Sequence, residues 1–251
     1  MIGTIAKFES GALLRSPQTW AVFAVIAAIF GYLFLQSLEE FLKVQPSLAL
    51  QDHPPGLTGY LSARFLATLA PLFSVLGPLF AMRSFSDEFR HQTMALWQSS
   101  PISNLSLVLG KFVGVLIPLT LLALLAVVMP AAMGFMVNID IATLLLSAVG
   151  LLLVAASCAA IGVYFSSLTK QPMIAIVASL GVVTLLWLLG GASFTNPAML
   201  ALQQFSITNH LSGFFQGYLQ SKDVLYFVLL TALFVALTVI RLGSLRNSGH
   251  Q

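Results

Sequence analysis

The run Ile141-Ala-Thr-Leu-Leu-Leu-Ser-Ala-Val-Gly150-Leu-Leu-Leu-Val-Ala-Ala-Ser-Cys-Ala-Ala160-Ile-Gly-Val-Tyr-Phe-Ser-Ser-Leu-Thr169 contains no charged residue between Asp140 and Lys170. A helix needs about 20 mostly apolar residues to cross a bilayer, and a soluble core helix rarely runs that long without an ion. This stretch therefore reads as a membrane span. Working outward, further charge-free gaps run from Ser16 to Leu38, Phe65 to Met82, Phe112 to Ile139 and Gln171 to Ser221, with a shorter one from Val224 to Ile240. The composition agrees: 58% of the 251 residues are hydrophobic and 8% charged, against roughly 25% charged in an ordinary soluble domain. A mean hydropathy of +0.95 excludes both a soluble and a disordered chain.

The gap after Lys170 is too long for one crossing. Beyond Gly191 the polar residues Asn196, Gln203, Gln204, Thr208, Asn209 and His210 interrupt it, so it holds one span and a loop. The expected architecture is a single all-α membrane domain over 1–251. Six transmembrane helices are placed at about 19–38, 66–82, 112–136, 142–165, 173–191 and 224–240. A surface elbow helix over 1–16, a cytoplasmic segment over 83–101 and an external loop over 192–223 complete it. Residues 39–64, with Pro46, Pro54, Pro55, Gly56 and Gly59, read as an ordinary external connector.

Orientation follows from the cations, which collect on cytoplasmic ends. Lys7, Arg15, Arg83, Arg90, Lys111, Lys170, Arg241 and Arg246 fall on one side, and Lys43, Arg64 and Lys222 on the other. Both termini are thus expected in the cytoplasm, at the inner membrane of the cell. The apolar run from Trp20 to Leu38 exceeds that of a signal peptide and lacks a small-x-small cleavage site, so it reads as a retained first span. The basic excess is explained by topology, and no nucleic acid is expected.

The expected spans place no carboxylate, His or Lys at membrane depth, where such a group would mark an ion relay. Ser147, Ser157 and Thr184 read as helix-packing hydroxyls, and the lone Cys158 as packing. No H-E-x-x-H and no G-x-x-x-x-G-K-[ST] occurs, so the chain offers neither that zinc site nor a phosphate loop. No catalytic or metal-binding residue is expected. Work done by such a protein must draw free energy from another polypeptide, through an element facing the cytoplasm.

Segment 83–111 is the one cytoplasmic stretch long enough. Ser84 and Asp87 form an S-x-x-[DE] start, and Asp87 and Glu88 suit the positive end of a helix dipole. Phe85, Phe89, Gln92 or Thr93, and Leu96 make one apolar stripe, ended at Ser99-Ser100-Pro101. Ser103 can then cap a helix that runs through Leu105, Val108, Leu109 and Phe112 into the third span. On residues alone, the short helix either lies on lipid or docks a cytoplasmic partner.

The order Met82-Arg83, Asp87-Glu88, Arg90, Thr93, Ser100-Pro101 and Gly110-Lys111 resembles that of ABC type 2 permeases, specifically their gliding-motility-type branch. Glu9 and Ser16-Pro17 continue the likeness at one end, as do His210, Gly217, Asp223 and Tyr226-Phe227 at the other. Two departures are Gln92 where the family has Gly and Ser99 where it has Thr. The resemblance implies a permease subunit that pairs with a second six-span copy, identical or different, and with two cytoplasmic ABC ATPase subunits. No cofactor is expected in this chain, since ATP and Mg would be bound by the ATPase. Residues Arg83, Phe85, Asp87, Glu88, Phe89, Arg90, Thr93, Leu96 and Pro101 would form the ATPase-coupling element.

Residues 2–16 wind with Ile2, Ile5, Phe8, Ala12 and Leu13 on one arc and Lys7 and Arg15 on the other, as in an interfacial helix in contact with membrane lipids. Glu9 falls on the apolar arc, where an unpaired carboxylate is costly; it either pairs with a cytoplasmic-edge cation, Arg83 being the first choice, or reaches solvent. In the external loop, Leu200, Phe205, Leu211, Phe214, Phe215, Tyr218 and Leu219 make a sticky uncharged surface that needs cover. Short re-entrant or interfacial helices, as the family resemblance implies, would provide it, with His210, Phe214, Phe215, Gly217 and Asp223 as contact residues, or an extracytoplasmic companion protein would dock there. The favoured function is ATP-driven export of an amphiphilic or lipid-linked cargo. The alternative is a non-transporting subunit of an ABC-type mechanotransmission complex that acts on an extracytoplasmic partner.

Overall fold

Glycines on two long helices set the centre of the fold. The computed structural model describes residues 1–48, 56–94, 97, 102–135, 139–191 and 202–248, and among these there is no strand. Helix α1 spans Ile2–Arg15, α2 Pro17–Leu48, α3 Leu57–Leu61, α4 Ala67–Ala81 and α5 Ser86–Arg90. The remaining helices are α6 Asn104–Ala132, α7 Ile141–Ser166, α8 Pro172–Gly191, α9 Ile207–Phe215 and α10 Ser221–Ser248. A π-helical turn, Ser62–Leu66, joins α3 to α4. Six segments are long and apolar enough to cross a membrane. The all-helical, six-span architecture read from the sequence is therefore the one the chain adopts.

Helices α4 and α7 form the buried pair. A Cβ on Gly77 would lie 2.7 Å from the Ala159 backbone nitrogen, and one on Gly162 would lie 2.8 Å from both Ala81 Cβ and Pro78 Cα. Small residues let these backbones approach, which is how helices associate where lipid removes the hydrophobic drive between them. Cys158 is buried in the same seam. In the α4 and α7 spans 61% of the most apolar window is buried inside the chain, against 22% for α2 and α10 and 17% for α8. The outer helices expose Val25, Leu35, Val177, Leu185, Leu229 and Leu233. A surface that apolar is stable only under lipid or another apolar partner.

Hydroxyls inside the bundle serve packing. Ser147 Oγ donates to Thr143 O and reaches Phe214 O, while Ser157 Oγ meets Leu153 O, Phe227 O and the Thr231 hydroxyl. Thr184, by contrast, is exposed.

The connector 39–64 departs from expectation. Helix α2 continues past the charge boundary at Glu39, because Glu39 and Lys43 pair at 2.6 Å one turn apart and such i,i+4 pairs support an exposed helix. Residues Leu57–Leu61 are helical as well. The elbow differs in its facing. Helix α1 buries Ile5, Ala6 and Ser10 against α6, while Ile2 and Phe8 from the expected apolar arc are exposed.

Candidate functional site

The site begins with a five-residue helix that has no cap of its own. Helix α5 starts at Ser86 after Phe85, and no side chain of its own segment bonds its first turn. The Ser84–Asp87 start expected from the sequence is absent. Its place is taken from another span: Ser166 Oγ, at the end of α7, accepts from the backbone N–H groups of Phe85 and Ser86, each at 3.0 Å. The same hydroxyl donates to Met82 O at 2.9 Å. One serine thus satisfies two orphan donors at a helix start and the carbonyl at the end of α4.

Helix α5 ends after Arg90, and Gln92 adopts a φ of +59°. A left-handed residue stops a helix and favours glycine. Gln92 is also where the resemblance drawn from the sequence leads one to expect Gly, so that departure falls on the turn that most needs one. The expected stripe through Phe85, Phe89 and Thr93 is consequently not one continuous helix face.

Beside α5, Lys111 is 2% exposed. Its Nζ lies 2.8 Å from Glu88 Oε1 and 3.2 Å from Glu9 Oε2, and 5.2 Å from the centroid of the Phe85 ring. A buried ammonium costs several kcal/mol unless it is paired. Here two carboxylates and an aromatic face offset that cost. Glu9 therefore finds its partner in Lys111 rather than in Arg83, the partner expected from the sequence. The reason is steric. A Cβ on Gly110 would sit 2.6 Å from Ile5 Cβ, and one on Gly114 2.6 Å from Glu9 Cβ. The two glycines, four residues apart, open a groove on α6 into which the Ile5–Glu9 ridge of α1 drops.

Glu9, Lys111, Glu88, Asp87, Ser84 and Arg83 line a cavity of about 330 Å³ together with Ala12 and Leu13 of α1 and Gln18 and Thr19 at the start of α2. Of the expected coupling residues, Phe85 is buried, Asp87, Glu88 and Phe89 are half-buried, and Arg83, Arg90 and Thr93 are exposed. Leu96 and Pro101 lie outside the described residues. The segment thus divides into an inward face that grips α1, α6 and α7 and an outward face open to a partner. Sequence reasoning missed Lys111 and Ser166 as members. A small-x-x-x-small pair, Gly110 and Gly114, around a lone lysine at a span start was the available signal for the first. Ser166 carries none.

At the opposite end, α9 is laced between spans. Phe214 and Phe215 are buried, and Ser147 holds Phe214 O. The ring of His210 stacks on Tyr226 at 4.3 Å, its Nδ1 lies 2.7 Å from Asp223 Oδ1 and its Nε2 2.8 Å from Gln204 O. Tyr226 donates to Phe205 O. Gly217, at φ +83°, packs on Thr143, which in turn donates to Asp140, the cap of α7. The structure places all five external residues named from the sequence in this lobe. The Thr143 hydroxyl, followed by two backbone N–H groups, holds the Asp140 carboxyl below the usual aspartate range.

A family model described as ABC-2 family transporter protein matches residues 3–244 of this chain. No curated protein matches it.

Proposed function

From the premise that the chain belongs to the ABC-2 transporter family, we propose that it is the permease half of an ATP-driven exporter, of the gliding-motility type. Membership makes it a multi-pass membrane permease subunit. The finer reading adds two ABC ATPase subunits that bind ATP and Mg, and a second six-span copy. Both termini would lie in the cytoplasm at the inner membrane, and the cargo would be amphiphilic or lipid-linked. The observation that carries the proposal is the double fastening of α5: Ser166 ties its start to α7, and Glu88–Lys111–Glu9 ties its body to α6 and α1. A push on the outward residues Arg83, Arg90 and Thr93 would reach three helices through short polar contacts. The ATPase supplies the free energy, and α5 distributes it.

The laced external lobe supports a second reading, mechanotransmission to an extracytoplasmic partner. Its half-exposed Phe205, Tyr218 and Leu219 form a surface that an extracytoplasmic companion could cover. The two readings part on one measurement. The tagged full-length chain, captured with its ATPase from native membranes and reconstituted in vesicles, should hydrolyse ATP faster when amphiphilic cargo is added. Hydrolysis indifferent to every such cargo favours mechanotransmission. Arg90→Glu should break the coupling while leaving membrane insertion intact, and normal coupling in that variant rejects the assignment of α5. Activity of the chain alone, without any ATPase, rejects both readings.

A further inference from the structure

Three cations from three separate elements line two cavities that share Lys170, and neither cavity includes Glu9, Lys111 or Glu88. Arg90 of α5 and Lys170 of the α7–α8 turn line a cavity of about 450 Å³ together with Gln171, Pro172 and Met173. Lys170 also lines an adjoining cavity of about 150 Å³ with Arg241 of α10, Phe89, Ser167 and Thr169. No carboxylate lines either cavity. Among the described residues none of the three cations makes an ion pair. The carboxylates of α5, Asp87 and Glu88, line a different cavity.

Cations that converge in this way repel one another, and a fold that gathers them without an acid gains by binding an anion. Arg90 and Arg241 offer guanidinium forks suited to phosphate oxygens, Lys170 a mobile ammonium, and Ser167, Thr169 and Gln171 neutral donors. The immediate neighbours are apolar and open: Met173, Ile174 and Leu168 are all exposed. A polar head held by the cations would therefore leave a tail lying along the foot of α8. Basic pockets between spans at a membrane edge have this build when they hold anionic lipid heads.

We propose that Arg90, Lys170 and Arg241 form a phosphate-binding site whose occupant is the headgroup of an anionic phospholipid. The lipid would bridge α5, the α7–α8 turn and α10. The site rests on the membrane location of the chain and not on its pairing with an ATPase, so it is tested without one.

The full chain is purified into phosphatidylcholine nanodiscs, and phosphatidylglycerol is titrated in, with retention read by native mass spectrometry. Phosphatidylglycerol should be retained at least tenfold over phosphatidylcholine. Lys170→Gln with Arg241→Gln should weaken retention about 25-fold, at about fivefold per cation removed. Arg64→Gln with Lys222→Gln, at the opposite end, removes the same two charges and should leave it unchanged. Inorganic phosphate in a parallel arm separates the sources. Retention that resists millimolar phosphate identifies the lipid head, whereas phosphate binding with the same Lys170 and Arg241 dependence identifies a free anion at the same site. Equal retention of the two lipids with no phosphate binding overturns the proposal, as does a folded double variant that binds like the wild type.

Discussion

The two ends of the bundle face the same task, fastening a short helix that does not span, and perform it with different forces. At the cation-rich end, α5 is only five residues long, borrows its cap from Ser166 and leans on a buried lysine shared by two carboxylates. At the other end, α9 carries its own cap, with Ser206 accepting from Thr208 N–H, and it buries Ile207, Leu211, Phe214 and Phe215. Apolar packing is non-directional and tolerant of small shifts, whereas a buried ion pair depends steeply on geometry and on both partners. The contrast teaches that α5 is held by a few replaceable bonds and α9 by a surface.

The strongest way to break the comparison is Lys111→Met. It leaves the half-buried Glu9 and Glu88 facing each other without a cation, and should destabilise the protein by about 3 kcal/mol, the low end for breaking a buried pair. Thermal unfolding in detergent checks this, and adding Glu9→Gln with Glu88→Gln should recover most of the loss. If Lys111→Met proves as harmless as Lys43→Met, whose Glu39 pair is solvent-exposed, the cation-rich end is not held electrostatically. Next in size, Ser166→Ala strands two backbone donors and should cost about 1–3 kcal/mol. Amide exchange should rise selectively over 85–90 while α9 stays protected.

Gln92→Gly sharpens the comparison in the opposite direction. Relieving a left-handed φ on a side chain should stabilise the turn by about 1 kcal/mol, read as slower exchange over 86–94. The smallest effect belongs to the other end. Because the Asp140 carboxyl is held below its ordinary range, its cap stabilises α7 at neutral pH. That contribution is lost as pH falls from the ordinary aspartate range through the depressed folded value. Exchange at Ala142 and Thr143 should follow that acid dependence, and Asp140→Asn should abolish it.

Much of this was legible from residues alone. Charge-free runs placed all six spans, since burying an ion in lipid is costly wherever it falls along a helix. The Ser103 cap was legible because a cap depends only on its own next three residues, and Ser103 does accept from Ser106 N–H. The start of α5 was not, because its cap is supplied across 80 residues of sequence from Ser166. Glu9 read correctly as a carboxylate in need of a partner. Its partner was misread as Arg83, because Gly110 and Gly114 admit α1 to a depth that no helical wheel contains.

By itself the sequence determined the membrane class, the number of spans and the family to which the chain belongs, all properties that accumulate along the chain. Tertiary structure alone decided which groups meet, Lys111 with both carboxylates and Ser166 with α5, and set Lys170 in cavities shared with Arg90 and with Arg241. Periodicity fixes which way a residue points on its own helix. How closely two helices approach depends on the small residues of both, and an approach a few ångströms closer or farther decides whether a lysine meets two acids or none.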